Sequence, residues 1–159
     1  MKIALCVKQV PDTSDIKWTE NNTMQREGVE SILNPYDVYA TELALKLKKE
    51  YNATVTVFTM GPNQAEKVLR SIIALGADDG VLICDKKFAG ADTYATGKTI
   101  SSAIKKVMPD FDLILCGQFA IDGDTAQTAP SLAGHLNINQ ITFVNKFIDF
   151  NKVEELLED

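Results

Sequence analysis

Two aspartates, Asp122 and Asp124, flank Gly123 in the stretch GQFAIDGDTAQTAP (117–130), with Thr125, Gln127 and Thr128 close behind. The stretch joins an apolar run that reads as a buried strand, FDLILC, to SLAGHL, which reads as a helix. It contains no lysine or arginine. Outward-facing backbone N–H groups at a helix start bind anions without help from a cation. The hydroxyls and the amide are neutral partners suited to pyrophosphate or ribose oxygens. Asp122 or Asp124 can hold the turn by accepting N–H bonds, or can face a ribose hydroxyl. These types in this order point to the sugar-phosphate portion of a nucleotide; the competing reading is a well-capped turn that holds no ligand.

Two helix starts fit the stretch. Asp124 as N-cap with Gln127 three residues later makes a capping box, but places Pro130 inside the helix, where it costs about 3 kcal/mol. A start at Thr128 puts Pro130 in the first turn, where it costs little, and leaves 122–127 as a tight turn with Gly123 free to take positive φ. On that geometry Gly123→Val is expected to weaken nucleotide binding.

Other chemistries lack their residues. The single histidine, His135, sits in an apolar helical pattern and reads as structural rather than as the base of a Ser-His-Asp or Cys-His centre. No HExxH, paired Cys/His or EF-hand spacing is present. TGKT (96–99) imitates the end of a phosphate-binding P-loop, but Asp92 stands where the first glycine belongs, so the segment reads as helix interior. No GxGxxG follows the first strand, and no G-x2-G-x9-G pattern of a stress-protein ATP site occurs.

The elements that must position the loop are legible as hydrophobic runs. KIALCV (2–7), TVTVFTM (54–60), GVLICD (80–85), FDLILCG (111–117) and QITFV (140–144) read as five strands, most of them covered on both faces. Helical patterns lie between them at 35–51, 62–75, 91–108 and 128–137. Asn34 reads as the N-cap before Pro35, and Val38, Leu43, Leu45 and Leu47 as the core side of the first helix. The order predicts an α/β, doubly wound, mainly parallel five-stranded sheet with helices on both faces. Ligands bind such sheets at the carboxyl ends of the strands, which singles out 8–12, 60–62, 85–92 and 117–127.

Residues 12–33 are too long for a simple strand–helix connection and suggest a small hairpin around Asn21 and Asn22. The organisation expected is one nucleotide-binding domain over 1–145 with this excursion inserted, then an acidic tail, 146–159, as a frayed helix. Its 159 residues suffice for a single core. A net charge of −6 argues against nucleic acid as partner. Apolar runs far below about 20 residues argue against membrane insertion. Cys6, Cys84 and Cys116 lie in apolar runs without CxxC spacing and read as small core side chains in a reducing, cytoplasmic compartment.

The stretches CVKQVPDT (6–13), REGVESILNPYDVYATELALKLK (26–48), VTVFTMGPNQAEKVLRSIIALGADDGVLICD (55–85), FAGADTYATGKTISSAIKK (88–106) and DLILCGQFAIDGDTAQTAPSLAGHL (112–136) together resemble the beta subunit of electron transfer flavoproteins. The resemblance implies a Rossmann-like fold, similar to the adenine nucleotide alpha hydrolases. It also implies a nucleotide pocket similar to the one that holds AMP in simple members and a second FAD in electron-bifurcating ones. Mapped here, the pocket draws on Cys6, the helix start Asn34, Pro35, Tyr36 and Asp37, Met60 and Gly61, and the loop Gly117, Gln118, Asp122, Gly123, Asp124, Thr125, Ala126, Gln127 and Thr128. The DGDTAQ form of the loop looks like the bifurcating kind and favours FAD over AMP. The resemblance further implies an alpha-subunit partner and electron carriage between acyl-CoA dehydrogenase-type or other redox partners and acceptors. It fades after ITFVNKF, and family members run well beyond this chain's end, so a fragment or shortened relative is expected.

Overall fold

A computed structural model describes residues 1–12, 31–150 and 152–155. Its centre is a parallel sheet of four strands, β1 (Lys2–Cys6), β4 (Thr54–Met60), β5 (Asp79–Ile83) and β6 (Leu113–Cys116), in the spatial order β5-β4-β1-β6. The chain runs outward from β1 through β4 to β5, then crosses back to place β6 on the other side of β1. Strand order therefore reverses between β1 and β6, and the carboxyl ends of strands at such a reversal are where open α/β sheets place a ligand crevice. The sequence reading of a parallel, doubly wound sheet holds, with four strands in place of five.

The apolar runs form strands because both faces are covered. Ile3, Leu5, Val55 and Val57 point to one side, where α1 (Pro35–Tyr51) and α2 (Glu66–Leu75) bury Ala44, Leu47, Leu69 and Ile72 against them. Ala4 and Phe58 point to the other, against Ile100 and Ile104 of α3 (Thr93–Val107) and Leu132 and Leu136 of α4 (Thr128–Leu136). Leu47 is buried as expected, but Val38 is exposed, because Asp37, Ala40, Thr41 and Ala44 form the stripe of α1 that faces the sheet.

Helix boundaries follow local chemistry. Pro35 opens α1, and Asn52 closes it in the left-handed region, donating its N–H to Lys48 O. Gly76 ends α2 at φ 125°. Asp92 caps α3 by accepting from Ala95 N at 2.7 Å, which explains an aspartate where a P-loop needs glycine. Gly97 lies inside α3, pressed so closely on Ser131 of α4 that a side chain there would collide with it. The TGKT segment is helix, and Lys98 is exposed. Between the two starts that fit α4, the structure takes Thr128: its first bond runs from Ser131 N to Gln127 O, with Pro130 in the opening turn.

The excursion closes at its base as an antiparallel pair, β2 (Gln9–Pro11) with β3 (Ser31–Leu33). The hairpin expected around Asn21 and Asn22 lies outside the described residues. The C-terminal expectations need correction. Residues 140–143 form no strand, and Phe143 takes φ 53°, which breaks an extended run. The chain then pairs β7 (Val144–Asp149) with β8 (Lys152–Glu155) as a separate antiparallel hairpin, where a frayed helix was expected. This hairpin is docked: Phe147 packs against the α1–α2 core, and Phe150 meets Tyr51 edge-on at 5.1 Å.

Candidate functional site

The crevice between β1 and β6 is built around a buried carboxylate. Asp37 lies in the first turn of α1 and is only 5% exposed. It accepts from Lys8 N at 2.7 Å, and Gly117 and the Asn34 side chain lie close enough to favour its charged form, so one carboxylate sits where the ends of β1 and β6 meet the start of α1. Burial pushes its pKa up to about 6, against the pull of those three neighbours and of the Lys8 charge.

Asn34 does more than begin a helix. Its side chain makes no cap bond to α1. Instead its Nδ2 donates to Phe119 O at 2.8 Å and its Oδ1 accepts from Ile121 N at 3.2 Å. Tyr36 and Phe119 stack with ring centroids 3.9 Å apart. Gly117 fits against this assembly because it has no side chain: a Cβ would overlap Asp37 Oδ1 and the backbone of Tyr36 and Asp37. Residues 117–121 are thus bolted to the α1 start by a carboxylate, an amide and a ring.

Residues 122–127 are held differently. Asp122, whose side chain is 9% exposed, pairs with Lys8 Nζ at 2.6 Å across the crevice mouth. The loop that contains no cation of its own receives one from the end of β1. Gly123 N and Asp124 N both bond Ala120 O, closing a turn. Gly123 does not take positive φ; Asp124 (49°) and Ala126 (53°) do. The left-handed residues fall one and three positions later than the glycine suggested, in side chains that carry that conformation at a cost. The backbone N–H groups of Thr125, Ala126, Gln127 and Thr128 find no backbone carbonyl partner among the described residues.

Cys6, Asn34–Asp37 and Gly117–Thr128 are brought to one edge. Met60 ends the neighbouring strand β4 and Gly61 follows it at the same edge, with Gly61 N bonded to Ile83 O, and neither makes a hydrogen bond to the 117–128 loop among the described residues. Beside Met60, the Thr59 hydroxyl is buried without a hydrogen-bond partner among the described residues. Cys6 and Cys116 are partly buried at the ends of their strands, whereas Cys84 lies past the end of β5, exposed, with Asn63 Oδ1 3.2 Å from its sulfur. Lys8 and Phe119 fall inside the loops singled out from the sequence, 8–12 and 117–127, but were not among the named site residues. Lys8 meets Asp122 across 114 positions, a separation at which no local pattern carries a signal.

A protein-family comparison matches residues 21–157 to the electron transfer flavoprotein domain. The chain belongs to the electron transfer flavoprotein family. It is similar, at 48% identity over its full length, to the electron transfer flavoprotein subunit beta of Thermoanaerobacterium thermosaccharolyticum, covering 62% of that protein. It is 49% identical, again over its full length, to the acryloyl-CoA reductase electron transfer subunit gamma of Anaerotignum propionicum, covering 61% of it. It is 44% identical over 99% of its length to protein FixA of Azotobacter vinelandii, covering 57% of that chain. The chain therefore spans about three fifths of the length of these relatives. The family match continues to residue 157, past the ITFVNKF stretch at which the resemblance was expected to fade. Among the described residues, no helix is long and apolar enough to cross a membrane, and no group of three or more His, Cys, Asp or Glu could hold a metal ion.

Proposed function

We propose that this chain supplies the nucleotide-binding part of a beta-type electron transfer flavoprotein subunit, with FAD or AMP held at the β1/β6 crevice. The observation that carries this reading is the division of the 117–128 loop. Its first half is fixed to α1 by Asn34, Tyr36 and Asp37. Its second half leaves four consecutive amides, Thr125 to Thr128, without backbone carbonyl partners at the mouth of α4. Unpaired amides at a helix start suit phosphate oxygens. The Thr125 and Thr128 hydroxyls and the Gln127 amide add neutral partners, and Lys8 offsets the Asp122 charge that would repel a phosphate. Nothing lies within 4 Å of where a Gly123 side chain would be, and Ala126 is small, so the outer turn leaves room for the larger of the two ligands, FAD.

A bound flavin would supply the redox chemistry; the chain's residues bind and orient it and set its surroundings. The same reading assigns the chain an alpha-subunit partner, electron carriage between acyl-CoA dehydrogenase-type or other redox partners and acceptors, and a cytoplasmic setting. The test is to purify the chain, denature it and identify any released small molecule by absorbance and mass. FAD supports the bifurcating type and AMP the simple type. If the chain emerges empty, FAD and AMP are titrated directly, and failure of both favours a truncated domain without redox function. Binding of AMP without flavin or an alpha-type partner favours a standalone nucleotide module. Gly123→Val tests the location: it fills open space, so affinity is expected to fall at least about tenfold with stability unchanged.

A further inference from the structure

The crevice reading uses the backbone at the ends of β1 and β6 and leaves two sulfurs unassigned. Cys6 and Cys116 are register partners in the β1–β6 ladder. Residues in register on neighbouring parallel strands project to the same face. Both cysteines accordingly pack against one cluster, that of Ala4, Phe58 and Ile104 on the α3–α4 side. Neighbouring strands lie about 4.8 Å apart, inside the Cα separation of roughly 4.4–6.8 Å that a disulfide spans. The Cys6 thiol is near enough to Cys116 for that neighbour to raise its pKa, and both residues are free and partly exposed.

We propose that Cys6 and Cys116 are a reversible dithiol–disulfide pair beside the crevice, oxidised by a hydroperoxide. The Cys116 sulfur begins the reaction. The Cys6 proton is held by its contact with Cys116, by burial and by the nearby Asp37 charge, all of which raise the Cys6 pKa. The Cys116 thiolate attacks one peroxide oxygen, the O–O bond breaks, and a sulfenic acid and hydroxide result. The Cys6 sulfur then attacks the sulfenic sulfur. The S–S bond forms, the S–O bond breaks, and hydroxide leaves as water with the Cys6 proton. Two thiols and one peroxide give one disulfide and two waters when the peroxide is hydrogen peroxide; the sulfurs lose two electrons and the peroxide gains them.

The bond would reach the crevice through the residues just beyond each cysteine. Lys8, two residues after Cys6, donates its backbone N–H to Asp37, and Gly117, next to Cys116, packs against the same carboxylate. A disulfide needs Cβ atoms about 3.5–4.5 Å apart, closer than strand spacing provides. Forming it draws β1 and β6 together directly below Lys8 and Gly117 and disturbs both contacts with Asp37.

The experiment uses the full chain carrying Cys84→Ser, which removes the exposed third thiol. After hydrogen peroxide treatment, intact mass, thiol titration under denaturing conditions and peptide mapping are compared before and after reduction. The expected product is a monomer lighter by two hydrogens, with no free thiol and a Cys6–Cys116 cross-link that dithiothreitol reverses. Adding Cys6→Ser should instead leave Cys116 gaining oxygen. Amide exchange at Lys8 and Gly117 should change by about tenfold or more on oxidation. The pair is overturned by two persisting thiols, by each cysteine gaining oxygen independently, or by cross-links only between chains. Unchanged exchange at Lys8 and Gly117 in the cross-linked protein overturns the coupling to the crevice. None of these readouts requires a bound nucleotide, so they stand apart from the test of the proposed function.

Discussion

The two halves of the 117–127 loop solve opposite problems. The inner half, 117–121, uses the Asn34 side chain, the Asp37 carboxylate and the Tyr36 ring to satisfy and fix its backbone. The outer half, 122–127, is held by one ion pair and two bonds to Ala120 O, carries two left-handed residues that are not glycine, and leaves its last amides open. A rigid root lets the exposed edge keep its conformation without internal partners. On the proposed reading, preorganisation is thus located in residues that need not touch the nucleotide at all.

The sharpest way to break the contrast is at the root. Gly117→Ala forces a methyl into Asp37 and the Tyr36 backbone, and is expected to cost about 3 kcal/mol, read as a lower denaturant midpoint at constant m. A loss under about 1 kcal/mol would mean that the inner half yields as readily as the outer.

A comparable effect is expected from pH. The folded pKa of Asp37, about 6, exceeds its ordinary 3.8, so its contribution to stability is full below about pH 4 and is lost as pH rises through 6. Against the non-titrating Asp37→Asn, wild type should decline by about 3 kcal/mol between pH 4 and 7. A difference that stays flat over this range would show that the three neighbours outweigh burial.

Asn34→Ala comes next. It leaves Phe119 O and Ile121 N without their partner and should cost about 2 kcal/mol, with nucleotide affinity falling alongside. Retained affinity in a folded variant would detach the outer edge from its root. The smallest effects belong to the outer half. Gly123→Ala should leave stability within about 0.5 kcal/mol, because its side chain meets nothing. Ala126→Gly should gain up to about 1 kcal/mol by relieving a positive φ, measured by the same denaturant titration.

The parallel sheet was legible because KIALCV, TVTVFTM, GVLICD and DLILC are apolar enough to be covered twice, and helices do cover them. QITFV has the same composition, yet Ile141 and Phe143 are exposed. Composition marks a preference for extended backbone; it cannot supply the neighbouring strand that would satisfy it. In the site, the loop was legible as turn chemistry and Asn34–Pro35 as a helix start, although the Asn34 side chain makes no cap bond, and Tyr36 and Asp37 came only from the family resemblance. What Asn34 binds was not legible, since its partners lie 85 and 87 positions away. Gly123 misled because glycine permits positive φ without requiring it, and the structure places that conformation in Asp124 and Ala126.

The Lys8–Asp122 pair spans 114 positions, and β1 meets β6 at a similar remove, with Ile3 opposite Leu113. Joining such distant segments carries a larger loop-closure penalty than pairing β1 with β4 or β4 with β5, which lie nearer in the chain. On a ribosome, β6 is also the last strand of the parallel sheet to emerge. The two walls of the crevice therefore exist together only in a chain that has finished its central sheet. On the proposed reading, a nucleotide that needs both walls would bind only chains whose central sheet is complete.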